Sequence, residues 1–318
     1  MPGRGFKPAR GLSAWRRIAL ELWDDPRDPT VYGNLDINMR RALAYLEAVS
    51  TPEVKVTVTH LVAKAIARGL AERPEANAIV AGRRIYMRDS IDVYCQVVRE
   101  SGRDLSGVKI VDADRKSVVD IAGELAASAA KVRSGDDGSE GTKRAVLKAP
   151  SFLLGPMISL IDYVSYNLQL DLRRIGVAYD QFGTAMVSNV GHFGVDHGLA
   201  PLVPRSHAAI VLLVGRVVDR PVVEDGEVRA APCMQIGCTF DHRIIDGYQG
   251  GAIERIVRET LEDPFKHLGL PSRSSSADAP SPAAAPGTTS NGHSGNGYTA
   301  RQAGSARETG PRARDGSR

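Results

Sequence analysis

Between Thr30 and Asn38 the apolar positions Val31, Leu35 and Ile37 predict a strand, and the pattern then turns helical through Leu43 and Leu46. From Thr59, read as an N-cap, the residues Leu61, Val62, Ala65, Ile66, Gly69 and Leu70 recur as two adjacent and two skipped. That is the stripe of a core-facing helix, which Pro74 closes. Four short β-like runs follow at 78–80, 85–87, 91–98 and 108–111, separated by Gly and charged residues. Ser117 and Asp120 form a capping box, and Val118, Ile121, Ala122, Leu125, Ala129 and Val132 continue it as a helix to about Arg133. Beyond a Gly/Asp/Ser loop at 134–142, a second stripe of Leu154, Met157, Ile158, Ile161, Val164 and Leu168 has helical spacing. Pro156 fits that helix only if it begins nearby. The runs 184–190, 208–218 and 228–240 read as strands, and 248–261 returns to helical spacing, as does 12–23 near the start. Long helices mixed with strands that are mostly not separated by regular helices predict an α+β layer structure.

Composition changes this picture at the two ends. Positions 271–318 hold no Leu, Ile, Val, Met, Phe or Trp, and Tyr298 is their only aromatic. Such a stretch cannot bury enough apolar surface to offset the entropy of ordering its backbone, so a disordered tail is expected there. The tail also carries six Arg against Asp278, Glu308 and Asp315, so the formal charge of +4 leaves the body almost neutral. A second basic cluster at Arg4, Lys7, Arg10, Arg16 and Arg17 predicts a solvated N-terminus, flexible over 1–10. Few aromatics are interleaved with these bases and no nucleic-acid module is recognisable, which argues against nucleic acid as a partner. One domain at 11–270 is the expected organisation, with an apolar helical insert at about 143–182.

Cys95, Cys233 and Cys238 lack the spacing of a metal clip and read as buried free thiols in a reducing compartment. No apolar run follows the basic residues at the start, so a cytoplasmic address is expected. The most apolar segment, 151–170, is interrupted by Gly155, Pro156, Asp162, Asn167 and Gln169 and is not a convincing transmembrane helix. It reads first as a helix packed on the body or on a neighbouring subunit. A membrane-surface contact through 152–168 stands as the alternative, with Phe152, Leu153 and Leu154 close to Arg173 and Arg174.

Two segments could carry chemistry. Asp241-His242-Arg243-Ile244-Ile245-Asp246-Gly247 closes the last strand, and Val187-Ser188-Asn189-Val190-Gly191 closes an earlier one. An imidazole where a strand runs into a turn is placed to meet substrate and can accept a proton near neutrality. Asp246 is suited to hold that loop, by accepting hydrogen bonds or by pairing with an Arg such as Arg243. On spacing alone a His beside an Asp more often makes a structural pair, and a strand-end Ser more often satisfies a turn.

Taken together, these two strings resemble the active-site signature of the dihydrolipoamide acyltransferase (E2) catalytic domains of 2-oxoacid dehydrogenase complexes, which share the chloramphenicol acetyltransferase-like fold. Arg73-Pro74-Glu75-Ala76-Asn77-Ala78 is similar to the family's Pro-x-x-Asn-Ala turn, and Asp112-Ala113-Asp114-Arg115-Lys116-Ser117 to the segment before its long helix. The resemblance implies a two-layer sandwich with a mixed sheet and helices packed on it. It implies His242 as the general base, Ser188 as the donor to the oxyanion of a tetrahedral intermediate, and Asp246 as the holder of the His loop. Coenzyme A, as acyl-CoA, is the implied substrate, with a lipoyl-type thiol or another small molecule as acceptor. A homotrimer with interfacial active sites is implied as well. The chain departs from the family in its expected lack of lipoyl and subunit-binding domains, hence of covalently bound lipoate. It departs further in the apolar insert, and in a polar tail where the family has an apolar anchor. A noncatalytic trimeric scaffold is the alternative reading. No phosphate loop is evident, so no residue is assigned to grip CoA.

Overall fold

The computed structural model describes residues 28–98, 105–134, 150–173, 177 and 179–270. The expected basic N-terminus, the helix at 12–23 and the tail at 271–318 lie outside them, as does all but the first residue of the loop at 134–142. The strand read at Thr30–Asn38 is β1, followed by α1 (Arg40–Val49) and α2 (Val58–Glu72). Next come β2 (Ala78–Ala81), β3 (Arg84–Met87), β4 (Val93–Val98), β5 (Leu105–Ile110) and α3 (Val118–Ser134). The insert contributes α4 (Ser151–Asp162) and a π-helical turn (Tyr163–Asn167). The remainder is β6 (Ala185–Asn189), β7 (Ile210–Val214), β8 (Val218–Glu224), β9 (Glu227–Asp241), α5 (Gly247–Glu262) and α6 (Pro264–Leu268).

One mixed sheet organises the fold, in the order β1-β9-β7-β6-β4-β5 with β8 added along β9. The β4–β6 and β6–β7 pairs are parallel and the others antiparallel, while β2 and β3 form a separate hairpin. Alternation along the strands places Leu35, Ile37, Cys95, Val187, Leu212, Ile236 and Cys238 in one core with α1, α2, α3 and α5. Helix α2 is buried over most of its circumference, as expected of a helix between layers. On the opposite face Tyr94, Met186, Ala208 and Val211 pack with Phe182, Ala200 and Leu202. The connecting segment after β6 crosses this face so closely that a Cβ on Gly237 would lie 1.8 Å from the Gly198 carbonyl oxygen. The α+β layering expected from the pattern, and the mixed-sheet sandwich that the resemblance implies, are therefore the observed architecture.

Several local expectations are corrected. Thr57, not Thr59, caps α2: its N–H donates to Nδ1 of His60 at 3.0 Å, with His60 in the place where Glu or Gln usually closes the box. Helix α4 begins at Ser151, so Pro156 lies inside it rather than near its start. The run at 208–218 is not one strand, because Gly215 leaves β7 to donate to the Gln235 carbonyl at 2.9 Å and β8 then starts at Val218. Strand β8 is not among the expected runs; its signal is Asp225-Gly226, both at positive φ, the two-residue turn that joins it to β9. The capping box of Ser117 and Asp120 stands as expected, with the Ser117 hydroxyl 2.7 Å from Asp120 Oδ2. All three cysteines are buried and free, and burial pushes the Cys95 and Cys238 thiols up to about 12.

The insert is unlike the rest. Phe152, Leu153, Met157, Ile158 and Leu160 of α4 are exposed, and the helix is fastened mainly through its end, where Asp162 pairs with His207 at 2.7 Å. Among the described residues no helix is long and apolar enough to cross a membrane, and no group of His, Cys, Asp and Glu could hold a metal ion.

Candidate active site

The turn that bears His242 is built by its neighbours. Asp241, the last residue of β9 and 5% exposed, accepts from the Arg243 backbone N–H at 3.0 Å and from its guanidinium at 2.9 and 2.6 Å. The Asp241 carbonyl takes the N–H groups of Ile244 and Ile245, and Ile245 is buried as an anchor. The His242 N–H donates to the Pro29 carbonyl at 2.8 Å, which fixes the turn to the strand beside it. The imidazole is exposed, and it has no hydrogen-bond partner among the described residues.

Asp246 is the N-cap of α5 and not a partner of Arg243. Its carboxylate accepts from the N–H of Tyr248 at 2.8 Å and of Gln249 at 3.4 Å, while its own N–H donates to Gln249 Oε1. Arg243 is taken by Asp241 because that carboxylate, two residues back, offers both oxygens in a fork. Asp241 is thus an organising residue that the sequence reading passed over, although it adjoins the histidine.

Ser188 lies near the C-terminal end of β6 and is half-buried, its hydroxyl without a partner among the described residues. The next residue is anchored: Asn189 donates to the Thr59 hydroxyl of α2 at 2.9 Å and accepts from the Gly191 N–H at 3.0 Å. Thr59, expected as a cap, therefore steadies the serine strand.

His242 and Asp246 share the turn between β9 and α5, while Ser188 lies away from both. Ser188 is in register with Leu213, and Leu213 with Gly237. From Gly237 the strand runs on through Asp241 before reaching His242. At about 3.4 Å per residue and about 4.8 Å per strand, the two groups are on the order of 20 Å apart in one chain. They stand at opposite ends of the same sheet, because β9 runs antiparallel to β7 and β6.

Asn77, in the turn similar to the family's, is buried and satisfied. Its amide donates to the carbonyls of Arg88 and Ser90 at 3.2 and 3.0 Å, and its oxygen accepts from Thr184. Arg88 makes a bidentate pair with Asp180 at 2.8 and 2.9 Å. These contacts tie the β2–β3 hairpin to the start of β6 and carry no exposed reactive group.

Comparison with known proteins follows the same outline. The family model described as 2-oxoacid dehydrogenases acyltransferase (catalytic domain) matches residues 14–145 and 176–268, leaving out the stretch that contains α4 and the π-helical turn. The mitochondrial dihydrolipoyllysine-residue succinyltransferase component of the 2-oxoglutarate dehydrogenase complex from Saccharomyces cerevisiae is 25% identical over 242 residues, which is 75% of this chain and 43% of that protein. The dihydrolipoyllysine-residue acetyltransferase component of the acetoin cleaving system from Bacillus subtilis is 24% identical over 210 residues, 66% of this chain and 42% of that protein. The chain thus spans less than half the length of these two curated relatives. Among solved structures, a probable dihydrolipoamide acetyltransferase from Listeria monocytogenes superposes with a TM-score of 0.57 at 20% identity, covering 86% of this chain and 99% of that one. The cubic core of a pyruvate dehydrogenase multienzyme complex gives 0.56 at 19% identity, covering 83% and 95%. At these identities the likeness is one of fold. With the family model matching most of its length in two blocks, the chain belongs to the 2-oxoacid dehydrogenase acyltransferase family, as a catalytic domain of that type.

Proposed function

We propose that this protein is a CoA-dependent acyltransferase working as a homotrimer, with His242 of one copy and Ser188 of the next forming each active site. The observation that carries this reading is the separation of two polar groups, unpartnered among the described residues, at opposite ends of one sheet, which a second copy can bring face to face. The imidazole takes the proton of the attacking thiol, and the thiolate adds to the thioester carbonyl. The Ser188 hydroxyl donates to the oxyanion as charge builds on it. When the intermediate collapses, the other sulfur leaves with the electron pair of the broken C–S bond and takes the proton back from the imidazolium. Asp246 holds the turn and does not transfer a proton. The acyl group passes between CoA and a lipoyl-type thiol borne by another protein, or another small acceptor. The three unpaired thiols suit a reducing, cytoplasmic setting.

The test is turnover of acetyl-CoA and succinyl-CoA with lipoamide, read as release of free thiol. Substituting His242→Ala should lower the rate by about 10²- to 10⁴-fold while leaving the oligomer intact. Unchanged turnover in that variant would reject the general-base role. Absence of turnover in the unaltered protein would favour the scaffold reading.

A further inference from the structure

The β2–β3 hairpin turns through Gly82 and Arg83, whose φ angles are 54° and 64°. A two-residue turn with both residues left-handed favours Gly or Asn at its second position, so an arginine there is held against its backbone preference. The Gly82 N–H donates to Oδ1 of Asn167 at 2.9 Å, which fastens the hairpin tip to the π-helical turn of the insert. Between them lies a groove of 540 Å³ lined by Gly82, Arg83, Arg84, Ile85, Asn167 and Arg243, with no Asp or Glu in its lining. Asp241 answers Arg243, whereas Arg83 and Arg84 are exposed and have no carboxylate partner among the described residues. Three guanidinium groups thus border one groove, and the third belongs to the residue after His242. Their forks match the oxygens of a phosphate or a carboxylate in a way that a neutral ligand would leave unused.

We propose that this groove is an oxyanion subsite that binds an anionic group of the substrate reaching His242. The assignment rests on the acyltransferase reading for its ligand. Two sources share the chemistry: a phosphate of CoA, and the free carboxylate of a dicarboxylic acyl group. The strained Arg83 places its charge at the tip, and the insert holds the tip in position.

The experiment is equilibrium binding to the full chain by titration calorimetry, which needs no turnover and so fails independently of the catalytic reading. The probes are CoA, dephospho-CoA, acetyl-CoA and succinyl-CoA, with the double variant Arg83→Asn, Arg84→Gln. Asn is at ease in the left-handed region, so the variant should keep or raise its melting temperature while losing affinity, a pairing that a purely structural role would not produce. Loss of the charge-assisted contacts should weaken binding about tenfold. If CoA weakens and dephospho-CoA binds the unaltered protein just as weakly, the 3′-phosphate is the ligand group. Weakening confined to succinyl-CoA identifies the carboxylate instead. Equal binding of all four probes by both proteins, or no binding of any probe by the unaltered chain, overturns the proposal.

Discussion

Asp246 accepts two backbone N–H groups at the start of α5, and those bonds position the turn that carries His242. Substituting Asp246→Ala should cost about 1 kcal/mol of stability, as other lost caps do, and should lower kcat with little change in KM. Asp246→Asn, which can still cap, should restore both; melting temperature and steady-state kinetics read the two effects. His60 contributes to acid sensitivity. Burial lowers its pKa from 6.5 to about 4, since the charged ring is costly out of water, and its Nδ1 accepts the Thr57 N–H. The folded state therefore favours the neutral ring. The stability this supplies is present in full above pH 6.5 and is lost as the pH falls towards 4. Urea unfolding at a series of pH values should show that decline, and His60→Gln, whose side chain can still accept the N–H, should flatten it.

Helix α4 poses the question at the scale of an element. It is apolar on all sides and exposes Phe152, Leu153 and Leu160, yet at about 1.5 Å rise per residue its 12 residues are too short to span a bilayer. It has no Lys or Arg of its own, and Asp162, its one acid, is taken by His207, so it lacks the basic face of helices that lie on anionic membranes. A helix of this kind is ordinarily buried against protein, and the proposed catalytic arrangement calls for a second copy. We expect α4 to pack on a neighbouring copy of the same chain. Phe152→Glu with Leu160→Glu should then shift the mass measured by light scattering from oligomer towards monomer. Flotation of the unaltered protein with anionic liposomes, together with an unchanged mass for the variant, would assign the helix to a membrane surface instead.

For the molecule as a whole, the proposed sharing of one site between His242 and Ser188, at opposite ends of the sheet, has a direct consequence. His242→Ala and Ser188→Ala chains should each be inactive alone. Unfolded together in equal amounts and reassembled, they should recover about a quarter of the unaltered activity, since that is the share of adjacent pairs combining an intact histidine with an intact serine. No recovery would mean that the two groups do not meet across copies.

Local pattern determined much of this protein. The alternation at Thr30–Asn38 yielded β1 with its observed bounds, the capping box at Ser117 yielded the start of α3, and two short strings marked the residues now placed at the candidate site. These are properties of neighbours in the chain, where side-chain period and capping chemistry act over a few residues. What lay beyond them depended on distant partners. Thr59 looked like a cap and instead braces Asn189, 130 residues away, because α2 lies against β6. Arg243 looked available to Asp246 and is held by Asp241, whose position comes from strand pairing. No periodicity could reveal that Ser188 and His242 end up at opposite ends of a sheet, since that follows from one antiparallel pairing of β9 with β7. Register and strand direction are set by which surfaces the whole chain can bury at once, and only the tertiary structure decides them.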